Sequence, residues 1–222
     1  MTTSELIVEV QWPARQESVE RCAEKLAQQF AALTSLSPAF AEWVKYPRSL
    51  KAEKTSLSKP PVNSSNTAEL IALLLKGQNR TDSLPRQPIP DLGFDVLFWN
   101  RKLANIDASL SVGCGSYAER VGYNRAALSI GTPAATKLTT DMLLLLLKQM
   151  VQIWETNLGV IYHNVFPPPE GKRHVQLAYF VVPRTDTNPI WRMTGIAKDT
   201  FNGGTLFVNE KARSLFEALL NA

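Results

Sequence analysis

The segment that most constrains the fold is residues 139–158, with the sequence TTDMLLLLLKQMVQIWETNL. Apolar residues recur at helical spacing through its second half. A hydroxyl of Thr139 or Thr140 can accept the free backbone N–H groups of a first helical turn, and Gly159 can end the helix in a left-handed turn. We therefore expect a central helix over this segment, around which the rest of the fold packs.

The first half of this helix is apolar on every side, because residues 142–147 form an unbroken apolar run of six. A membrane span needs about 20 such residues, so we expect protein to cover the run on all sides. An acidic side chain in place of Leu145 or Leu146 would then bury an unpaired charge and unfold the protein.

Strand patterns and further helices flank the central segment. Helical periodicity covers residues 17–36 and 67–76, and another amphipathic helix is expected from about residue 209. The expected strands are 5–12, 93–100, 106–112, 123–130, 160–165, 175–182, 191–196 and 205–208, the last two joined by a turn at 202–204. Because strands follow one another in runs, we predict an α+β fold, a mainly antiparallel sheet packed against the central helix with flanking helices. No linker separates two complete cores, so residues 1–222 are expected to form a single domain.

The formal net charge of +4 is concentrated in one segment. Between residues 45 and 59, five basic side chains face one acid, Glu53, and the rest of the chain is balanced. A basic loop of this kind can contact nucleic acid or an acidic protein surface. The aromatic side chains that interleave a nucleic-acid platform are missing after Tyr46, so nucleic acid is not the expected partner. A nucleic-acid-binding accessory protein stays open as an alternative.

Two cysteines, Cys22 and Cys114, do not make a disulfide framework and are typical of buried thiols in a reducing compartment. The N-terminal segment MTTSELIVEVQW has neither the basic start nor the apolar run of a secretory signal. We therefore expect a cytoplasmic protein that does not enter a membrane.

Catalytic and metal-binding patterns are sparse. Residues 113–117 (GCGSY) faintly resemble the nucleophile segment of papain-like thiol hydrolases, which leaves a hydrolase using Cys114 as a second alternative. Its base would have to be His163 or His174, which lie in or beside predicted strands. These histidines are eleven residues apart and the cysteines are distant, so metal-ligand spacing is absent, as is a phosphate-binding loop. We expect no enzyme, no metal and no cofactor.

Two long loops, residues 47–66 and 78–91, flank the short helix 67–76. Such an arrangement is unusual in a compact domain and suggests a functional role for the loops. Three carboxylates near the second loop are interpreted as solvated side chains: Asp82, Asp91 and Asp95.

Several segments together resemble one protein family. They are the loop LSPAFAEWVKYPRSLKAEKTSL, the short helix with KGQNRTD, the strand GFDVLFWN, and SVGCGSYAERVGYNRAAL ahead of the central helix. This layout of tryptophan, glycine and aromatic positions resembles the immunity protein 52 family of bacterial polymorphic toxin systems. The likeness covers most of the chain and is clearest from about residue 30 to 165.

The resemblance implies a cytoplasmic, non-catalytic antitoxin that binds a cognate effector and protects the producing cell. Such effectors are commonly restriction-endonuclease-like nucleases delivered by type VI secretion. Nuclease clefts are usually basic, and this chain is itself mildly basic. We therefore expect it to bind away from the nucleic-acid cleft or to block the cleft by shape.

The toxin-contact surface is predicted on the loops at residues 46–59 and 78–90. A tryptophan or tyrosine beside polar loops is a common interface anchor, because it buries a large area at a small entropic cost. Trp191 follows a polar turn and is such a candidate, whereas Trp99 and Trp154 are expected in the core. The predicted contact residues are Tyr46, Lys51, Lys54, Arg80 and Trp191.

Overall fold

The structure is a computed structural model, and it describes residues 3–47, 55–102, 106–131, 138–166, 174–182 and 196–221. The strands in these ranges are β1 (Thr3–Pro13), β2 (Val44–Lys45), β3 (Phe94–Trp99), β4 (Ala108–Cys114), β5 (Tyr123–Gly131), β6 (Leu158–Phe166), β7 (His174–Val181), β8 (Ile196–Phe201) and β9 (Gly204–Asn209). The longer helices are α1 (Val19–Leu36), α2 (Thr67–Lys76), α3 (Thr140–Trp154) and α4 (Glu210–Asn221).

The described strands form one sheet, in the order β2-β3-β4-β5-β1-β6-β7-β9-β8. Each neighbouring pair is antiparallel, and β1 lies between the meander and the C-terminal strands. Val8 of β1, for example, pairs with Leu128 of β5 and with Ile161 of β6. The predicted α+β fold with an antiparallel sheet is confirmed, and its N-terminal strand joins the two halves of the chain.

Side-chain alternation gives the sheet two different faces. Val8, Val10 and Leu110 point to one face, where they are fully buried in a core shared with all four helices. The opposite face of β3, β4 and β5 carries exposed or half-buried side chains, such as Leu97 and Ala127. We call this second surface the open face.

Two tryptophans fix α3 against the centre of the sheet. Trp154, the last residue of α3, stacks on Trp12 of β1 with 4.9 Å between ring centroids. Its indole N–H donates to the Gln29 side-chain oxygen at 3.0 Å, and the Arg15 guanidinium donates to its main-chain carbonyl at 2.8 Å. Trp154 and Trp99 are both buried, which confirms their predicted place in the core.

The central helix begins where it is predicted and ends earlier. Thr139 caps it, since the threonine hydroxyl accepts the backbone N–H three residues later at 3.2 Å. The predicted end at Gly159 is wrong, because helix α3 stops at Trp154 and Glu155 turns the chain with a left-handed φ of 51°. The buried ammonium of Lys25 donates a hydrogen bond to the Glu155 carboxylate at 3.1 Å, and this tertiary contact stabilises the turn.

Gly159 lies in β6 beneath α3 instead. A Cβ at this position would come within 2.9 Å of the Leu147 side chain, so the strand can approach α3 this closely only with glycine. Close helix–sheet packing, not a helix end, explains the glycine.

The first half of α3 is not covered on all sides. Leu146 is fully buried, whereas its neighbour Leu145 is 53% exposed. Successive helical side chains point about 100° apart, so one side of α3 lies outside the core while the adjacent side is buried. The prediction of cover all round is therefore wrong, and so is the expectation that an acid at Leu145 unfolds the protein.

The C-terminal hairpin includes residues that the sequence pattern did not predict. Strands β8 and β9 pair through the predicted turn, where Asn202 and Gly203 both have positive φ. The first strand extends to Phe201, whereas residues 191–195 of the predicted strand lie outside the described residues. Exposed Lys198 and Asp199 interrupt apolar alternation on this edge strand, which explains why periodicity missed it.

Acidic substitutions at two adjacent leucines are expected to have opposite outcomes. Leu146→Asp buries an unpaired carboxylate and should lower the free energy of unfolding by about 3 kcal/mol or more. Leu145→Asp places the same charge at an exposed position and should change it by less than about 0.5 kcal/mol. Urea unfolding followed by circular dichroism measures both, and equal destabilisation of the two variants would contradict the burial of α3.

Candidate functional site

Both loops that the sequence singles out leave from the outer edge of β3. The Tyr46 N–H donates to the Leu97 carbonyl at 2.8 Å, just after β2 pairs with β3. Gln78 forms a β-bridge with Phe94 at the other end of β3. Because strand residues are about 3.3 Å apart, the two loops begin roughly 10 Å from each other.

Residues 78–92, which include the second loop, form a narrow hairpin-like arm. The Thr81 N–H donates to the Gln87 carbonyl at 2.9 Å, and a second cross-arm bond lies closer to the sheet. Leu84 stands near the tip of the arm and is 87% exposed. Arg80, a predicted contact residue, lies on the side of the arm that leaves α2, and it is also exposed.

Two of the predicted contact residues lie in the described part of the chain. Tyr46 is 42% exposed, and it and Arg80 lie on separate loops that the edge of β3 brings together. Lys51, Lys54 and Trp191 lie outside the described residues. A contact surface made from both loops therefore stays a proposal.

A cavity of about 360 Å³ opens beside the arm, at the ends of β3, β4 and β5. Its lining residues are Asn79, Leu92, Asp95, Gly113, Cys114, Ser116, Tyr123, Asn124 and Arg125. Sequence spacing does not predict this cavity, because its walls come from four separate segments that the register of the sheet and the base of the arm bring together. The sequence singled out Asp95, but as a solvated loop carboxylate.

One buried amide holds a wall of the cavity in place. The Asn124 side-chain oxygen accepts the Ser116 N–H at 2.8 Å. Its amide nitrogen donates to the carbonyls of Ser116 at 3.0 Å and Pro13 at 3.2 Å. The Ser116 hydroxyl donates to the Asp91 carbonyl at 3.2 Å, which connects this wall to the base of the arm. The cavity is therefore fixed mainly by bonds to the main chain.

Asp95 and Arg125 bring opposite charges to the open face on either side of Gly113. The register pairs Asp95 with Gly113 and Gly113 with Arg125. Asn79 Nδ2 donates to Asp95 Oδ2 at 2.8 Å, whereas Asp95 Oδ1 lies only 2.8 Å from where a Cβ of Gly113 would be. Gly113 follows the predicted strand 106–112 and is in fact a residue of β4, whose missing side chain leaves room for this carboxylate.

Cys114 lies at the cavity beside Cys22 of α1, and both free thiols are buried. Hydrogen bonding to Cys22, burial, and the charges of Glu17 and Asp95 raise the pKa of Cys114 well above its usual range. The thiol therefore stays protonated at neutral pH, which removes the thiolate that the hydrolase alternative needs.

His163 lies too far from Cys114 to act as its base. His163 pairs with Leu6, which aligns through β5 with Ala108 at the opposite end of β4. Cys114 is six residues farther along that strand, a separation of roughly 20 Å. His174 lies on β7, one strand beyond β6. The two candidate members of a catalytic pair are not brought together.

We call the loop after β2, the arm and the cavity together the β3 edge. Its side chains can form hydrogen bonds and ion pairs, through the Asp95 carboxylate, the Arg125 guanidinium and the exposed Tyr123. Among the residues that the structure describes, no group of three His, Cys, Asp or Glu side chains is placed to hold a metal ion. Within the same ranges, no helix has the length and apolar character needed to cross a bilayer.

Both cysteines of the native protein are expected to resist alkylation. Because Cys22 and Cys114 are buried and Cys114 keeps its proton, iodoacetamide at about pH 8 should label the unfolded chain far faster than the folded chain. Mass spectrometry of digested protein, labelled with and without urea, measures the difference. Rapid native labelling of Cys114 would contradict this and would reopen the hydrolase alternative.

The chain can be compared with a solved structure and with a protein family. The chain is similar to the Pseudomonas aeruginosa T6SS protein PA0821, with 11% sequence identity and a TM-score of 0.48. The alignment covers 93% of this chain and spans 65% of the length of that protein. No curated protein matches the chain significantly. The family model of immunity protein 52 matches residues 6–168, from β1 to the end of β6 and including the whole β3 edge, and the chain therefore belongs to the immunity protein 52 family.

Proposed function

We propose that this protein is a cytoplasmic immunity protein that neutralises a cognate toxin by binding it, and that the toxin is a nuclease effector of a type VI secretion system. Membership of the immunity protein 52 family carries the proposal, because it assigns the chain an immunity role. A protein of this kind acts by binding its partner and blocking the partner's activity, so it needs a stable binding surface and no catalytic residues of its own.

The contact surface is proposed at the β3 edge, which combines the loop after β2, the arm and the cavity. Exposed tyrosine, leucine and arginine side chains occur together there, and Tyr and Arg are enriched at the energetic centres of protein interfaces. The exposed members of this surface are Tyr46, Arg80, Leu84, Tyr117 and Tyr123. Lys51, Lys54 and Trp191 are proposed as further contact residues on the basis of the sequence alone.

The arm and the cavity are already ordered by their own hydrogen bonds. Cross-arm backbone bonds hold the arm, and the Asn124 amide holds the cavity wall. A surface that is ordered before binding loses little conformational entropy when a partner docks, which favours tight association.

The charges at this surface do not resemble those of a DNA mimic. A mimic of nucleic acid presents closely spaced carboxylates, whereas acids and bases alternate around the arm and the cavity. The acids are Asp82, Asp91 and Asp95, and the bases are Arg80, Arg86, Arg120 and Arg125. We therefore propose that the protein covers the toxin by shape or binds outside its nucleic-acid cleft.

The direct test is co-expression with the product of the gene immediately upstream, where a polymorphic toxin gene is expected. The immunity protein should restore growth to cells that produce the toxin in the cytoplasm, and the two proteins should co-purify. Absence of both protection and complex formation would contradict the proposal. Binding of generic DNA at low salt, lost steeply as salt rises, would instead favour the nucleic-acid-binding alternative.

Charge reversal on the two loops should weaken the complex. Glutamate at Lys51, Lys54 and Arg80 together is expected to raise the dissociation constant for the toxin about tenfold, which corresponds to about 1.4 kcal/mol. Titration calorimetry measures the effect. The matched control is Lys211→Glu, which reverses an exposed charge on α4 far from β3. Unchanged affinity in the triple variant would rule out the loop surface.

A further inference from the structure

The cavity at the β3 edge has the chemistry of a subsite for one basic side chain. We propose that it receives an arginine side chain of the toxin, with Asp95 as the ion-pair partner. The inference rests on the proposed function, since it names the chemistry that the same surface recognises.

The size of the cavity fits a single protruding side chain. Its volume of about 360 Å³ is near the lower end of the range for ligand pockets. Leu92 supplies an apolar wall for an aliphatic stem, and Tyr123 is 46% exposed beside it. A guanidinium group can stack on such an exposed ring, which an ammonium group does less well.

Asp95 is held in position before any partner arrives. Within the described ranges, Asn79 alone donates to the Asp95 carboxylate, through a 2.8 Å bond to Oδ2. The other oxygen lies over Gly113, where a strand side chain would otherwise stand. The carboxylate therefore keeps one oxygen for a partner, and its position does not have to be fixed on binding.

The Asn79 amide nitrogen donates both to Asp95 and to the Leu92 carbonyl, the latter at 3.2 Å, which ties the carboxylate to the base of the arm. A guanidinium carries five N–H donors in a planar fork that matches the geometry of a carboxylate. A lysine would place one point charge there instead.

The two charged side chains of the cavity lie on different sides of it. The charge of Asp95 contributes to the raised pKa of Cys114 in the cavity wall. Arg125 lies on the side of the cavity nearest β1. The register places Asp95 on the other side of Gly113, so the two charges stand at opposite sides of the cavity.

The first test needs no toxin and uses N-acetyl-arginine amide as the probe. Titrated into isotope-labelled protein, it should shift the backbone amide signals of Gly113, Ser116 and Tyr123 with a dissociation constant in the millimolar range. Asp95→Asn keeps the shape and should abolish the shifts. Asp82→Asn, on the arm but outside the cavity, is the matched control and should leave them unchanged.

A variant that keeps the charge tests the geometry. The Cβ of Gly113→Ala would meet the Asp95 carboxylate at 2.8 Å and push it aside. This variant should therefore bind the arginine probe more weakly, although Asp95 is still present. No shift with the arginine probe in the wild-type protein, the same shifts with Asp95→Asn, or stronger shifts with N-acetyl-glutamate amide would each overturn the proposal.

The second test uses the toxin itself. Asp95→Asn should raise its dissociation constant tenfold or more, and Asp82→Asn should not. If the wild-type protein binds the toxin and Asp95→Asn binds equally well, the arginine subsite is wrong and the immunity function stands. If the wild-type protein binds no toxin, the proposed function fails, and the titration with the arginine probe still decides whether the cavity binds a guanidinium.

Discussion

The structure depends on one corner, where α1, the end of α3 and β1 meet. The stacked rings of Trp12 and Trp154 join helix to sheet, and the buried ammonium of Lys25 lies 2.5 Å from Glu17 and 3.1 Å from Glu155. Burial disfavours the Glu155 carboxylate, but the Lys25 hydrogen bond and the nearby positive charges outweigh it and lower the pKa of Glu155. A buried charge is tolerated only while its partners remain, so this corner fixes how the helical layer sits on the sheet.

With the core fixed on one side of the sheet, the β3 edge is available for the proposed contact with a toxin. The central strand β1 is separated from β3 by two strands, so the arm lies away from the tryptophan corner, whereas the cavity wall adjoins that corner through the bond from Asn124 to the Pro13 carbonyl. Exposed side chains at such an edge bear little of the folding free energy, because apolar burial occurs on the other face. Stability and partner binding therefore use largely separate residues.

The sequence predicted what depends on local pattern. Helical spacing from residue 147 onward and the threonine cap identified α3, and alternation identified most strands. The end of α3 at Glu155 and the exposure of Leu145 follow from contacts with other elements, which no local pattern contains. The cavity was missed for the same reason: Asp95, Gly113 and Arg125 share one row only through the register of β3, β4 and β5. A glycine directly after the alternating residues 106–112 was the one available signal.

The Asn124 amide has a consequence for how such a protein can diversify. This single side chain and the main chain hold the cavity wall, so the exposed side chains around the mouth contribute little to its stability. If these residues contact the toxin as proposed, exchanging a rim tyrosine, an arm leucine or a loop lysine would alter what is recognised while leaving the scaffold intact. Such a protein would then adapt to a changed toxin through surface substitutions alone, without a change of fold.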